Sequence, residues 1–403
     1  MNEQRERAIP VNEPLIARNA LAYVTQCLET GWISSAGSFI QKFEQEFARY
    51  LGIRHAITTT SGTTALHLAL STLGIGPGDE VIIPDLTMIA VPYAVLYTGA
   101  HPVLVDVESE TYNLDPTLLA EFIERDCIFD EKEGKLINQK TGGRIKAILP
   151  VHLYGHPCDM NRILALAKNY RLAVVEDAAE AHGALYFPDG KKGPARFAGT
   201  IGTVGCFSFY ANKIITTGEG GMVVTDDNDL AERARRLKDL AHDPKRRFFH
   251  TELGFNYRMT NLQAAIGLAQ LEEIDRFIAI KLEMARAYEE LLAEVPGLTL
   301  PREKEWARSV YWMYAVLVEE EFGLSRDELM GKLAEKGIDT RTFFIPVHEQ
   351  PLFRSRPEME GLSFPVSEAL SRKGLYLPSG LALTRNQMER VAEEIKALAK
   401  PLN

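Results

Sequence analysis

Cysteine, basic charge and long apolar segments are all scarce in this sequence, and each shortage excludes a class of protein. The four cysteines form no C-x-x-C pair, so neither a zinc cluster nor a disulfide framework is predicted: they are Cys27, Cys127, Cys158 and Cys206. A formal net charge of -10 argues against general nucleic-acid binding, which needs a basic surface. No apolar run could span a bilayer, and the first ten residues lack the apolar stretch of a secretory signal. Reduced thiols and the lack of a signal together predict a cytoplasmic protein without a metal site.

Short apolar runs alternate with stretches of helical spacing through the first 225 residues. The runs show no polar alternation, which is typical of strands buried on both faces of a parallel sheet. They are Val81–Pro84, Val103–Val107, Ala147–Val151, Leu172–Glu176, Cys206–Phe209 and Met222–Thr225. With helices between the strands, the pattern predicts an α/β fold with a mostly parallel central sheet.

The length of 403 residues exceeds what one hydrophobic core usually organises, so two domains are expected. Helical sequence dominates from Leu262 to about Glu294 and leads into a smaller α+β domain. That domain is expected to contain a strand near Trp312–Val318 and helices near Ser325–Lys336 and Arg385–Ala399. We place the division at residue 260, so that residues 1–260 form the large domain and 261–403 the small one.

A polar segment from Arg125 to Arg144 separates a predicted helix from the strand at Ala147–Val151. An unstructured loop of this length would be unusual in a compact domain. The segment is therefore predicted to form a surface hairpin.

Small and hydroxyl residues open a predicted helix at Ser61-Gly62-Thr63. The free N–H groups at a helix start, together with the helix dipole, can bind an anion, and glycine lets the backbone approach it closely. An ordinary serine or threonine cap gives the same pattern, so this motif is weak evidence by itself.

Two carboxylates, Glu176 and Asp177, follow a buried strand. Ligands of open α/β sheets bind beyond the carboxyl ends of the strands, so an acid there can reach a bound ring. An ionised Asp177 would keep a pyridine nitrogen protonated and make the ring an electron sink. For Glu176, a helix cap or a solvated loop acid is the better interpretation.

Lys213 follows an apolar strand and precedes the glycine-rich turn Gly218–Gly221. A Schiff-base lysine needs partial desolvation to leave a neutral amine, which apolar surroundings can provide. A lone lysine in a turn is usually a surface residue. Here, however, a possible anion site, an acid and a lysine occur together, and Ser208 could bind the same anion. These are the groups that pyridoxal 5′-phosphate needs.

With these motifs in place, the sequence resembles the DegT/DnrJ/EryC1/StrS sugar aminotransferases, a family of fold-type-I enzymes that use pyridoxal phosphate. The resemblance covers nearly the whole chain and rests on SGTTAL, GPGDEVIIP, VHLYGHPCDM, VVEDAAEAHGA, SFYANKIITTGEGG and GFNYRMTNLQAAIGLAQLE. It implies transfer of an amino group from an amino acid, glutamate in this family, to a ketosugar nucleotide. The last three motifs are most similar to the branch that aminates C4 of GDP-4-keto-6-deoxymannose.

The resemblance implies a role for each matching residue. Lys213 would bind the cofactor covalently and then shuttle a proton, and Asp177 would face the pyridine nitrogen. The amides of Gly62 and Thr63, with the hydroxyl of Ser208, would hold the phosphate.

Three further positions follow from the same resemblance. Asn256 would reach the phosphate from the partner subunit, which implies a homodimer with shared active sites. Glu180 stands near the phenolic oxygen, where many relatives carry glutamine, and Met88 stands where many relatives place a stacking aromatic residue.

The acceptor and the alternatives are less well defined. Arg258, Arg341 and His348 are candidates for binding the sugar nucleotide, although a structural role is as well supported for each. A dehydratase of the same family and a regulatory protein without turnover remain alternatives, but Lys213 and the scattered cysteines favour transamination. A nicotinamide dehydrogenase is disfavoured because the glycines of Gly74–Gly78 precede a strand instead of following one.

Overall fold

The computed structural model describes residues 8–191, 193–243, 245–246, 248–356 and 359–400; the ends of both predicted domains, 1–7 and 401–403, lie outside these ranges. The helices are α1 Ala20–Thr30, α2 Ser38–Leu51, α3 Gly62–Thr72, α4 Ala90–Tyr97, α5 Pro116–Asp126, α6 Met160–Tyr170, α7 Asn228–Lys238, α8 Asn261–Glu272, α9 Ile274–Leu292, α10 Arg326–Glu335, α11 Pro351–Arg354, α12 Pro365–Lys373 and α13 Arg385–Leu398. Short 3₁₀ turns occur at Leu153–Gly155, Glu320–Phe322 and Val347–Glu349.

The strands form one large sheet and two small ones. They are β1 His55–Thr59, β2 Asp79–Pro84, β3 His101–Val105, β4 Cys127–Asp130, β5 Lys135–Asn138, β6 Arg144–Ile148, β7 Ala173–Asp177, β8 Leu185–Tyr186, β9 Arg196–Phe197, β10 Val204–Ser208, β11 Gly221–Thr225, β12 Leu298–Thr299, β13 Ala307–Arg308, β14 Tyr314–Val318, β15 Arg341–Thr342 and β16 Gly374–Leu377. The short strands β13, β8 and β9 form a sheet of their own.

The central sheet has the order β1-β11-β10-β7-β6-β2-β3. The strands from β10 to β3 in this order are parallel, whereas β11 is antiparallel to both β10 and β1. The predicted α/β fold with a mostly parallel sheet is confirmed, and all six predicted strands are present. The apolar pattern missed β1, because this buried strand ends in two threonines, Thr58 and Thr59.

The segment from Arg125 to Arg144 contains the predicted hairpin. Strands β4 and β5 pair antiparallel, and β5 extends the sheet by pairing with the start of β6. Buried Glu80 anchors the end of the hairpin, since its carboxylate accepts bonds from Asn138 Nδ2 at 2.9 Å and Thr141 Oγ1 at 2.6 Å.

A second core lies behind the antiparallel sheet β12-β14-β16-β15, where α9, α10 and α13 pack. The smaller α+β unit is thereby confirmed. The division at residue 260 stays a prediction, since α9 contributes Phe277 to the first core and Tyr288 to the second. Across the described ranges, none of the helices has the length and apolar character needed to cross a bilayer.

Candidate active site

The start of α3 meets the end of β10. Ser61 caps the helix, since its Oγ accepts the Thr64 N–H at 3.2 Å while Thr64 Oγ1 accepts the Ser61 N–H at 2.9 Å. The N–H groups of Gly62 and Thr63 lie in the first turn, where the helix has no carbonyl to accept them. A Cβ at position 62 would lie only 2.7 Å from Ser208 Cβ. Glycine therefore lets the three predicted phosphate ligands come together.

Asp177 ends β7 directly beside β10, where it is paired with Cys206. Its carboxylate is buried, and Oδ1 accepts the Ala179 N–H at 2.9 Å. Burial raises the pKa of Asp177, while the Ala179 N–H and the charge of Lys213 oppose the shift. A buried carboxylate stays ionised when a cation or several N–H donors stabilise it, and the hydrogen bond from Ala179 is the one N–H donor to Asp177 among the described residues. The site therefore suits a protonated ring nitrogen, which is the partner that the cofactor would supply.

Lys213 lies in the loop after β10 with its side chain only 11% exposed. Its Nζ is 3.4 Å from Glu180 Oε1 and 3.8 Å from the centroid of the Trp312 ring. The other oxygen of Glu180 accepts the Tyr154 N–H at 2.8 Å. Burial raises the pKa of Glu180, and Lys213 opposes this shift. One amine is thus enclosed between a carboxylate and an indole face.

Sequence reasoning missed two residues that hold this loop. The carbonyl of Asn212, next to the lysine, accepts bonds from Asn12 Nδ2 at 2.8 Å and Trp312 Nε1 at 2.7 Å. Asn12 comes from the N-terminal arm and Trp312 from the segment before β14. No local signal marks either residue, because both contacts join parts of the chain that are far apart in sequence.

Glu176 corrects one expectation, since it is neither a helix cap nor a solvated acid. It is fully buried, and its oxygens accept bonds from His152 Nε2 at 2.8 Å and from three backbone N–H groups, those of Gly199, Ile201 and Gly202. Burial by itself would raise the pKa of Glu176, but His152 and the N–H donors outweigh it and the pKa is lowered. Glu176 therefore clamps the loop before β10 onto the strand that carries Asp177.

Replacing Glu176 with glutamine is expected to lower the free energy of unfolding by about 3 kcal/mol, because an amide group would face N–H donors. Urea titration would measure the loss, and Glu124→Gln, an exposed change on α5, should have little effect. Since the folded pKa is lowered, the contribution of Glu176 is present above the unfolded pKa, about 4.3, and is lost as the pH falls through the folded value. An unchanged unfolding curve at neutral pH would contradict this role.

His348 joins the end of β2 to the segment around α12. The side chain of Asp85 accepts the His348 backbone N–H at 2.9 Å and contacts its Nδ1 at 2.7 Å, while Nε2 lies 3.5 Å from Glu368. Met88 lies three residues beyond Asp85, in the turn before α4, and is 47% exposed. The loop that carries Met88 is thus tied to a second segment through His348.

The remaining predicted residues are partly or fully exposed. Arg258 forms an ion pair with Asp239, and Arg341 forms one with Asp339 on the edge of the small sheet. Asn256 is exposed. A single chain brings none of these three into the contacts made by Lys213.

A cavity of about 1070 Å³ lies elsewhere, between β3, α5 and residues 359–366, and none of the predicted site residues lines it. Within the described residues, no group of three or more histidine, cysteine or acidic side chains is arranged to hold a metal ion. The chemistry of the donor set, and not the size of a cavity, therefore identifies the candidate site.

Known proteins match the chain over nearly its whole length. The model of the DegT/DnrJ/EryC1/StrS aminotransferase family matches residues 14–396. A GDP-perosamine synthase from Caulobacter vibrioides is 45% identical over 384 residues, 95% of this chain and 96% of that protein. Another from Escherichia coli O157:H7 is 42% identical over 387 residues, 96% of this chain and 97% of that protein. The crystal structure of S. venezuelae DesV in complex with a ketimine intermediate has a TM-score of 0.83 at 37% identity, over 96% of this chain and 95% of that one.

Proposed function

Because the chain belongs to the DegT/DnrJ/EryC1/StrS aminotransferase family, we propose that it transfers an amino group from glutamate to C4 of GDP-4-keto-6-deoxymannose. Sugar aminotransferase activity on nucleotide sugars follows from the family and the similar proteins. The choice of sugar rests on the similarity to GDP-perosamine synthases. The observation that carries the proposal is the placement of Lys213 Nζ, enclosed by Glu180 and Trp312.

The residues of the site fit pyridoxal 5′-phosphate, the cofactor of this family. When bound, it supplies an aldehyde that accepts an amine and a ring that takes up electrons. The Gly62 and Thr63 amides and the Ser208 hydroxyl would hold its phosphate at the start of α3. Asp177 would pair with its ring nitrogen, Lys213 would hold its aldehyde carbon, and Glu180 would lie near its phenolic oxygen.

Lys213 is the residue that would move the proton. Its amine would hold the cofactor, and during the reaction its Nζ would act as a base that takes a proton from the α-carbon of the donor and later gives it up. Glu180 and Trp312 restrict the positions of this amine, and a fixed amine favours proton transfer.

Acceptor binding is proposed for two arginines, and a supporting role for His348. Arg258 and Arg341 would each exchange their present acidic partner for phosphate oxygens of the nucleotide. His348 is held by Asp85, so it would fix the position of the loop that carries Met88.

We further propose a homodimer with shared active sites in the cytoplasm. Asn256 supports it, because the rings of Phe255 and Tyr257 stack on each other and pack on His67 of α3, while Asn256 between them is exposed. Exposed apolar side chains on and near α1 would be covered by a partner: Ile16, Leu21, Leu28, Trp32 and Ile33.

A panel of 4-keto and 3-keto nucleotide sugars, offered with glutamate and analysed by mass spectrometry, tests the proposal. We expect GDP-4-keto-6-deoxymannose to be converted to the 4-amino sugar, with 2-oxoglutarate formed in equal amount. Aspartate in place of glutamate serves as the donor control. Amination of a different sugar would overturn the proposed acceptor, and loss of a sugar hydroxyl without amination would indicate the alternative dehydratase reaction. If no sugar reacts while glutamate is still deaminated, the acceptor alone is wrong.

A further inference from the structure

One lysine of α9 is buried in the core of the protein. Lys281 is 1% exposed, and its Nζ donates to the carbonyl of Trp312 at 2.8 Å and to the carbonyl of Ser379. Within the described residues it forms no ion pair. Burial lowers the pKa of Lys281 to about 7. A neutral amine has two N–H donors, and these two carbonyls match them.

Such a residue costs stability, because burying an amine is less favourable than burying a methionine of similar shape. The two carbonyls that accept its hydrogen bonds indicate a structural role for this lysine. Ser379 lies two residues beyond the end of β16, and its Oγ accepts the Tyr314 N–H at 2.9 Å. Trp312 lies two residues before Tyr314, the first residue of β14. Lys281 therefore fixes the main chain where this strand begins.

Trp312 extends from that anchor into the candidate active site. The backbone N–H of Trp312 donates to the Tyr154 carbonyl at 3.0 Å, and its indole Nε1 donates to the Asn212 carbonyl at 2.7 Å. Its ring face lies 3.8 Å from Lys213 Nζ. The indole therefore touches the reacting amine and also holds the peptide group beside it.

We propose that Lys281 is a positioning residue that holds the main chain of Trp312 so that the indole stays against the Lys213 amine. The inference rests on the proposed function, because it needs Lys213 to be the reacting amine. Lys281 would act through the main chain of Trp312 and not through a contact of its own with Lys213. Its effect is on the geometry of proton transfer, for which displacement by about 1 Å is costly.

The test compares Lys281→Met with Trp312→Phe and the double variant in the cofactor-loaded enzyme. We expect Lys281→Met to lower kcat about 10- to 100-fold with little change in KM for glutamate. The double variant should lose no more than Trp312→Phe alone, because both changes act through one indole. Lys281→Gln, which keeps two donors, should restore part of the rate, and exposed Lys332→Met should match the wild type.

A second readout does not depend on turnover. The protein has three tryptophans, so Trp32→Phe with Trp306→Phe leaves Trp312 as the only indole. In that background Lys281→Met should shift the fluorescence emission of the cofactor-free protein, and Lys332→Met should not. If Lys281→Met does not fold, Lys281→Gln takes its place in the cycle and in the emission measurement, with smaller changes expected in the same direction, and wild-type kcat and emission in Lys281→Gln would then overturn the inference.

The outcomes separate this inference from the proposed function. Borohydride treatment of the loaded wild type should fix the cofactor on Lys213, and a label elsewhere would overturn the proposed function and this inference together. A label on Lys213 with wild-type kcat and emission in Lys281→Met would overturn the inference alone. Additive losses in the double variant would also contradict it.

Discussion

Replacing Lys213 with alanine is expected to lower transamination by at least about 10⁴-fold in both half-reactions. The change removes the amine that would hold the cofactor and the group that would move the proton. Glu180 cannot substitute, because it is an acceptor already bound to the Tyr154 N–H and its remaining oxygen faces the lysine. Trp312 has no titratable group. No other amine among the described residues makes these contacts.

Single-turnover absorbance with glutamate measures the first half-reaction, and product formation from the keto sugar measures the second. Lys213→Arg keeps a cation beside Glu180 and Trp312 but offers no neutral amine, so it should lose as much as the alanine variant. Added methylamine should restore part of the rate of Lys213→Ala, because a small amine can occupy the space that the side chain leaves. Lys168→Ala, an exposed change on α6, is the matched control. A rate in Lys213→Ala above about one hundredth of the wild-type rate would rule out the assigned role.

The sequence predicted the large sheet well, for a physical reason. Parallel strands covered on both faces need apolar residues at every position, so β2, β6 and β7 are visible as short apolar runs. Among the described strands, β1 pairs with β11 at the edge of the sheet, and the surrounding fold buries two of its threonines, so composition does not reveal this strand. The boundary between the two cores was harder to place, because α9 is a single helix that contributes to both.

Some residues of the candidate site have a local sequence signal, and others are placed by contacts with distant parts of the chain. Gly62, Asp177 and Ser208 each follow a local rule about helix starts or strand ends, and the structure brings them to one edge of the sheet. Trp312 and Lys281 follow no such rule. An indole at the start of a predicted strand looks like a core aromatic residue, and a lysine in a helix that also carries other charged residues looks like a surface residue, until the distant partners are known.

Glu176 shows where strand periodicity would have helped. Successive residues of a strand point to opposite faces, so Glu176 and Asp177 could not share one environment. The sequence does not show which face supplies N–H donors, and here the loop at Gly199–Gly202 supplies three of them to Glu176. Asp177 has one such donor, the Ala179 N–H. The carboxylate with fewer internal partners, Asp177, is therefore the one we propose to pair with the ring nitrogen.

Because Asp177 has few partners within the fold, a substitution there should affect catalysis strongly and stability little. Asp177→Asn is expected to lower the rate of the glutamate half-reaction by about 10²- to 10³-fold, because a neutral amide cannot stabilise a positive charge on a ring nitrogen. The amide keeps the size of the side chain and can still accept the Ala179 N–H, so the geometry should survive. Single-turnover kinetics would measure the loss, with exposed Asp189→Asn as the matched control.

The same substitution should leave the cofactor-free protein at least as stable as the wild type. Because burial raises the folded pKa of Asp177, its favourable contribution exists below the unfolded pKa and is lost as the pH rises through the folded value. At neutral pH the wild-type carboxylate therefore lowers the free energy of unfolding of the cofactor-free chain, and replacing it with asparagine removes this loss. Urea unfolding without cofactor would measure this, and Glu176→Gln should behave in the opposite way, because that carboxylate has its partners within the fold. A stable Asp177→Asn variant with a wild-type rate would mean that this carboxylate does not serve the ring nitrogen.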